Sequence, residues 1–322
     1  MNSQTSLSPA RRSLSCGLLS PAIRFAAVAF VCLCFSNHAR EKTQDDEIVR
    51  IETDLVVLNV TATDAQGAYV HGLERQNFKV YEDGQEQQIN SFSREETPFA
   101  VALLLDVSGS MEGRVSLARS AAIRFLDGLR AEDTAAVYSF HTKVEQVQDF
   151  SPSRDLSPLA FALTARGQTV LHDAIVRAAH DLAQRPEKRR ALVVLSDGAD
   201  SRSTASFDKA LAAALAANAT IYTVDMADRA TTGAASGLSA AAGVLREYAH
   251  KSGGRFVSTP GGKALRSAFG EIVGELSNQY TIGYHPANRA RDGRWRNIEI
   301  KVDRPAVSAR TRRGYRLSKR AK

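Results

Sequence analysis

The sequence predicts an α/β protein, a doubly wound domain inserted into a β-sandwich formed by strands from both ends of the chain. Three observations carry that expectation. Residues 101–105 (Val-Ala-Leu-Leu-Leu) are an unbroken apolar run, as expected of a strand buried on both faces of a parallel sheet. From there to residue 278, short apolar strands alternate with amphipathic helical stretches. Before residue 98 and after residue 279 the pattern is strand and turn alone, with too few strands on either side to make two stable sheets of their own.

Taken in order, Arg11, Arg12 and Arg24 precede an apolar run from Phe25 to Phe35, and a polar stretch then ends at Ala39. That reads as an export signal over 1–39, since eleven apolar residues make about 16 Å of helix against a ~30 Å bilayer core. Arg11-Arg12 leaves the twin-arginine route open, and the charged stretch 40–47 reads as a linker. The first part of the sandwich is expected over 48–97. There Val56, Leu58 and Val60 alternate with polar positions, 64–67 turns, 78–81 alternates again, and Glu82-Asp83-Gly84 turns the chain into 85–92. The α/β domain is expected over 98–278, with strands near 101–105, 135–140, 144–150, 191–195, 220–224 and 255–257. Helices follow from apolar faces such as Ala118/Ala121/Ala122/Phe125, Ala174/Ile175/Ala178/Leu182 and Leu265/Phe269/Ile272/Leu276. Three strands near 279–285, 298–302 and 307–311 supply the second sandwich part, 279–317, before a basic tail at 318–322.

Composition narrows the function. The chain has 322 residues, 43% hydrophobic and 24% charged, with 21 Gly and 9 Pro, which excludes collagen-like or largely disordered classes. Its three cysteines, Cys16, Cys32 and Cys34, all lie in the export signal, so the processed chain would have no thiol for disulfides, zinc or nucleophilic catalysis. The formal charge of +7 falls to +4 without residues 1–39 (39 basic against 35 acidic), too mild to imply a nucleic-acid partner.

In a doubly wound sheet, ligands bind beyond the carboxyl ends of the strands. Those positions carry Asp106-Val107-Ser108-Gly109-Ser110, Leu195-Ser196-Asp197-Gly198 and Asp225. Carboxylate and hydroxyl oxygens without His or Cys are the donor set of a hard cation such as Mg²⁺. The first segment resembles the D-x-S-x-S signature of von Willebrand factor type A (vWA) domains, which have a Rossmann-like fold. Gly167-Gln168-Thr169-Val170-Leu171-His172-Asp173-Ala174 resembles the stretch carrying that family's threonine ligand, and Leu195–Gly198 its second aspartate. The resemblance implies a metal-ion-dependent adhesion site held by Asp106, Ser108, Ser110, Thr169 and Asp197, with Mg²⁺ or another divalent cation such as Mn²⁺. Its expected partner is a protein that offers an Asp or Glu side chain to the metal. Residues 53–60, 78–84 and 279–284 extend the likeness to secreted bacterial "VWFA-related domain" proteins, over roughly 45–317.

Individually the candidates have blander readings. Asp106 suits a loop cap, Thr169 a helix N-cap, Asp225 a cap or hydrogen-bond partner, Asp173 a backbone tether and Glu112 a solvated loop residue. No histidine pair has the H-E-x-x-H spacing, and no G-x-S-x-G elbow surrounds Ser108, so no enzymatic activity is expected. His141 and His172 are the histidines that could approach the metal, with satisfied surface histidines as the default reading. Residues 289–322 carry 13 basic and 3 acidic residues. They suit weak contact with anionic envelope polymers or, preferred, a charged edge that discourages aggregation. Trp295 is expected to pack inside the sandwich. The expected function is an exported, metal-dependent protein-binding module; the alternative is a metal-independent scaffold of the cell envelope.

Overall fold

The computed structural model describes residues 55–94, 97–227, 240–258 and 262–317. The expected export signal, the linker and the basic tail lie outside the described residues. The chain opens with β1 (Val56–Thr63), β2 (Phe78–Glu82), β3 (Gln85–Gln87) and β4 (Ile89–Ser93). It continues through β5 (Phe99–Asp106), α1 (Val115–Asp127), β6 (Thr134–Phe140), β7 (Val144–Ser151), α2 (Leu171–Ala183) and β8 (Arg189–Ser196). Then come α3 (Phe207–Ala216), β9 (Ala219–Asp225), α4 (Ala240–Ser252), β10 (Phe256–Ser258) and α5 (Gly262–Ser277). The last strands are β11 (Gln279–Tyr284), β12 (Trp295–Val302), β13 (Ser308–Arg310) and β14 (Gly314–Arg316).

The middle of the chain builds a six-stranded sheet in the order β10-β9-β8-β5-β6-β7, parallel except for β7. All eight residues of β5 are buried because helices cover both faces. On one face Phe99, Val101, Leu103 and Leu105 meet the apolar sides of α1 and α5. On the other Ala100, Ala102 and Leu104 meet α2, α3 and α4. The many alanines on α1, α2 and α3 let those helices lie close to the sheet. The chain passes from β5 to β6 on one side and later returns as β8 on the other. The strand order therefore reverses between the carboxyl ends of β5 and β8, where such folds place their ligands.

Strands from the two ends of the chain interleave in two four-stranded sheets, ordered β13-β1-β11-β4 and β14-β12-β2-β3. All their pairings are antiparallel, with Leu58 opposite Ile282 and Val80 opposite Ile300. One apolar core serves both sheets and includes Leu58, Val60, Phe78, Val80, Tyr280, Ile282 and Tyr284. Within it Glu82 and Arg296 form an ion pair at 3.1 Å, only 3% and 2% exposed, and Glu82 also accepts hydrogen bonds from Tyr284 and Tyr315.

Two expectations need correction. The carboxyl-terminal side contributes four strands rather than three, because Gly314–Arg316 pairs with Trp295–Asn297. Trp295 does not pack in the core of the two small sheets. It stands at odd parity to the inward-facing Arg296 and Ile298, so its ring is directed away from that core and packs against the cluster under α2, α3 and α4. The basic segment is also less solvated than its charge suggests, since Arg296 and Arg312 are both buried.

Candidate functional site

The site begins where β5 ends. Asp106 closes the strand, and its Oδ1 accepts a hydrogen bond from the Ser108 amide at 2.9 Å, which turns the chain back on itself. A single 3-10 turn over Gly109–Met111 follows, anchored by the fully buried Met111. The turn brings the Ser108 and Ser110 hydroxyls to 3.1 Å from each other. At the end of the neighbouring β8, the Ser196 hydroxyl donates to Asp106 Oδ2 at 2.5 Å and accepts from the Gly198 amide at 3.0 Å. Asp197 follows, with its Oδ1 accepting from the Ala199 amide.

The Thr169 segment is tied to both of these loops. The Gly109 amide donates to the Gly167 carbonyl at 3.1 Å, and the Arg166 amide donates to the Val107 carbonyl at 2.9 Å. The close approach leaves little room at Gly109, where a Cβ would stand 3.3 Å from that carbonyl oxygen. On its other side, the Thr169 amide donates to the Ser201 hydroxyl, and its carbonyl accepts from the Ser201 and Arg202 amides. The structure thus joins the three predicted segments at the point where strand order reverses. Asp106, Ser108 and Ser110 are linked directly, Asp197 is held one residue from the Ser196–Asp106 bond, and Thr169 is placed through its backbone.

Burial is graded across the five residues. Asp106, Ser108 and Thr169 are buried, Asp197 is half-buried and Ser110 is exposed. Burial pushes the Asp106 carboxyl up to about 6 against the hydrogen bonds from Ser108 and Ser196, and the nearby Asp197 charge adds to the rise. Among the described residues no Lys, Arg or His forms an ion pair with Asp106 or Asp197. A buried carboxylate beside a second one, surrounded by hydroxyls and without a cation, fits the donor chemistry of a hard divalent ion. No group of three or more His, Cys, Asp or Glu side chains is placed to hold a metal among the described residues, so the candidate centre rests on two carboxylates and three hydroxyls.

The supporting residues differ in part from the sequence expectation. Thr169 is not the N-cap of α2; Val170 is, without a side-chain cap. The first free amides of that helix are taken instead by Asp200, which accepts from His172, and by Ser203, which accepts from Asp173. Asp173 tethers backbone as expected, accepting from the Thr204 and Ala205 amides. Burial pushes the Asp200 carboxyl up, but hydrogen bonds from Ser203 and the His172 amide outweigh it and hold Asp200 below the usual carboxylate range. His172 turns to the Tyr248 hydroxyl at 2.8 Å. His141 is buried at the end of β6, its Nδ1 accepts from the Thr142 amide, and burial lowers its pKa. Asp225 accepts from the Ala227 amide and the Ser258 hydroxyl, and Glu112 is exposed. Ser196, Asp200, Ser201 and Ser203 were not singled out as site supports, because Ser and Asp crowd any polar loop and only Ser196 sat beside a candidate ligand.

Comparison with known proteins finds a family match over the site segments and several distant structural likenesses. Residues 101–199 match the family model described as von Willebrand factor type A domain. No curated protein matches. Among solved structures, the PilB minor pilin from Streptococcus sanguinis is similar at 14% identity and TM-score 0.44, over 60% of this chain and 63% of that one. The chain therefore spans less than two thirds of PilB. The von Willebrand factor type A protein from Catenulispora acidiphila is similar at 11% identity and TM-score 0.47, over 77% and 76% of the two chains. The vWF domain of the type V pili tip protein Mfa5 from Porphyromonas gingivalis is similar at 14% identity and TM-score 0.43, over 56% and 95%. The family match runs from β5 past β8 and takes in all five oxygen-bearing positions on the loops at the strand-order reversal, so residues 101–199 are similar to a von Willebrand factor type A domain.

Proposed function

We propose that this protein is an exported, non-enzymatic binding module that captures an acidic side chain of a partner protein through a divalent cation, Mg²⁺ or Mn²⁺. The observation that carries the reading is the buried Asp106 carboxylate, raised to about 6 beside Asp197 and ringed by the Ser108 and Ser196 hydroxyls without a cationic partner among the described residues. The vWA-like domain itself supports a protein-interaction module.

Asp106, Ser108, Ser110, Thr169 and Asp197 would hold the ion. When bound, it supplies a positive centre with coordination sites open to an outside carboxylate. The chain's own residues do the positioning. Ser196 and the Ser108 amide fix both oxygens of Asp106, which would otherwise rotate away from its neighbour. The Gly109–Gly167 and Thr169–Ser201 bonds set the loops in register before any partner arrives, so less ordering cost falls on binding. The exposed Ser110 and half-buried Asp197 leave the outer side of the site open to a side chain. The apolar run 25–35 with its preceding arginines supports export, and no helix among the described residues is long and apolar enough to cross a membrane.

The test is capture from a cell-envelope extract by the immobilised full chain. The reading expects a protein retained with Mg²⁺, lost on adding EDTA, and not retained by Asp106→Ala. Equal capture in all three conditions would overturn it and favour a metal-independent scaffold.

A further inference from the structure

A second site lies away from the metal loops. A cleft of about 960 Å³ opens between α3, α4 and the β12–β14 edge, and it shares no lining residue with the candidate metal centre. That volume is near the top of the range of about 300–1,000 Å³ found for small-molecule pockets. Its walls are of two kinds. The half-buried Trp295 presents apolar surface with the largely buried Tyr315 and Leu211 behind it, and Arg312, Arg313 and Arg316 line the cleft with positive charge. Of the two acids in the lining, Glu247 is already paired with Lys251 at 3.0 Å, which leaves Asp208 against four arginines, Arg291, Arg312, Arg313 and Arg316.

Arg312 is the telling residue. It is 7% exposed, its Nη1 donates to the Leu215 carbonyl, and its guanidinium stands 5.6 Å from the Tyr315 ring centroid. Its Nε has no hydrogen-bond partner. That Nε is itself closed to solvent, so a ligand in the cleft meets Arg312 through the rest of its guanidinium, whose largely buried charge favours an anion. Arg313 and Arg316 are exposed and form no ion pair among the described residues. Guanidinium groups favour carboxylate and phosphate, and the aromatic wall favours an apolar body.

We propose that this cleft binds a single-headed anionic amphiphile, an apolar chain or ring carrying one carboxylate or one phosphate. The head meets Arg312, Arg313 and Arg316, and the body lies along Trp295, Tyr315 and Leu211.

Trp295 is the only tryptophan in the chain, so its emission reports on the cleft directly. The full chain is titrated in EDTA with oleate, 1-oleoyl lysophosphatidate, oleyl alcohol and inorganic phosphate, each below its micelle concentration. Saturable shifts of Trp295 emission are expected with one or both anionic amphiphiles. Oleate alone identifies a carboxylate head, lysophosphatidate alone a phosphate head. Oleyl alcohol should bind about tenfold more weakly and inorganic phosphate should give no shift. The R313E/R316E variant, changed at two exposed positions, should weaken the anionic amphiphiles by about tenfold and leave oleyl alcohol unchanged. Ala212→Phe, at an exposed lining position of α3, should reduce binding of every chain-bearing probe. Equal affinity for oleyl alcohol and oleate, an unchanged R313E/R316E variant, or no saturable shift with either anion overturns the proposal. EDTA throughout keeps the outcome separate from that of the metal site.

Discussion

Glu275 offers the sharpest test of how the interleaved sheets are fastened to the α/β domain. It lies near the end of α5 and is fully buried. Thr61 of β1 donates to its Oε1 at 3.2 Å, and Tyr222 of β9 donates to the same atom at 2.8 Å. Arg310 of β13 pairs with it, and Arg255 approaches Oε2 at 3.4 Å. One carboxylate therefore joins a helix, a strand of the six-stranded sheet and two strands of a four-stranded sheet. Replacing it by Ala costs about 1–3 kcal/mol by leaving the buried Tyr222 O–H without its acceptor, although Gln279 Nε2 still donates to that oxygen, and empties a cavity beside it. Arg255 and Arg310 keep more than a third of their side-chain exposure, so water can solvate them after the loss. That holds the total below the 3–5 kcal/mol typical of breaking a fully buried pair, at about 3 kcal/mol. Glu275→Gln keeps an acceptor for Tyr222 and loses only the charge, so about 1–2 kcal/mol is expected. Urea unfolding followed by Trp295 emission and far-UV circular dichroism measures both. The reasoning fails if Glu275→Ala stays within about 0.5 kcal/mol of the native protein, or if Gln costs as much as Ala.

Other consequences can be checked alongside. Gly198 has φ +82°, and a Cβ there would stand 2.3 Å from the Ala241 carbonyl oxygen, so Gly198→Ala should cost at least about 2 kcal/mol in thermal unfolding. Arg296→Ala leaves Glu82 charged and buried between two tyrosines and should cost about 3–5 kcal/mol by urea unfolding. Asp200 titrates below its unfolded value of 3.8, so its stabilisation is complete above that value and is lost as pH falls through the folded one. The urea midpoint of the native protein should therefore fall more steeply than that of Asp200→Asn between about pH 5 and pH 3; parallel curves would contradict the assignment.

The legible parts of this protein are those where one local pattern determines the outcome. The run 101–105 could only be a strand covered on both faces, and Asp106-Val107-Ser108-Gly109-Ser110 announced an oxygen-lined loop at its end. Strand alternation in 56–60 and 279–284 led to the shared sheets, where those segments pair residue for residue from Val56↔Tyr284 to Thr61↔Gln279. What was missed depends on partners far away in the chain. Gly314–Arg316 is three residues long with a glycine and two cationic neighbours, and it becomes a strand because β12 offers an edge. Trp295 was misplaced because its parity could be fixed only once Ile298 was known to face inward. Glu275, Glu82 and Arg296 read as ordinary surface charges, and nothing local shows that each is buried against a residue some 200 positions away. Asp200 and Ser201 support the site from a loop whose path depends on the Thr169 segment it touches.

The most direct test of the metal reading is calorimetric titration of the EDTA-stripped full chain with Mg²⁺ and Mn²⁺, beside Asp106→Ala. The account predicts one saturable site per chain in the native protein and no heat of binding in the variant. Flat traces for both proteins, or identical binding curves, would show that Asp106, Ser108, Ser110, Thr169 and Asp197 do not act together on a cation.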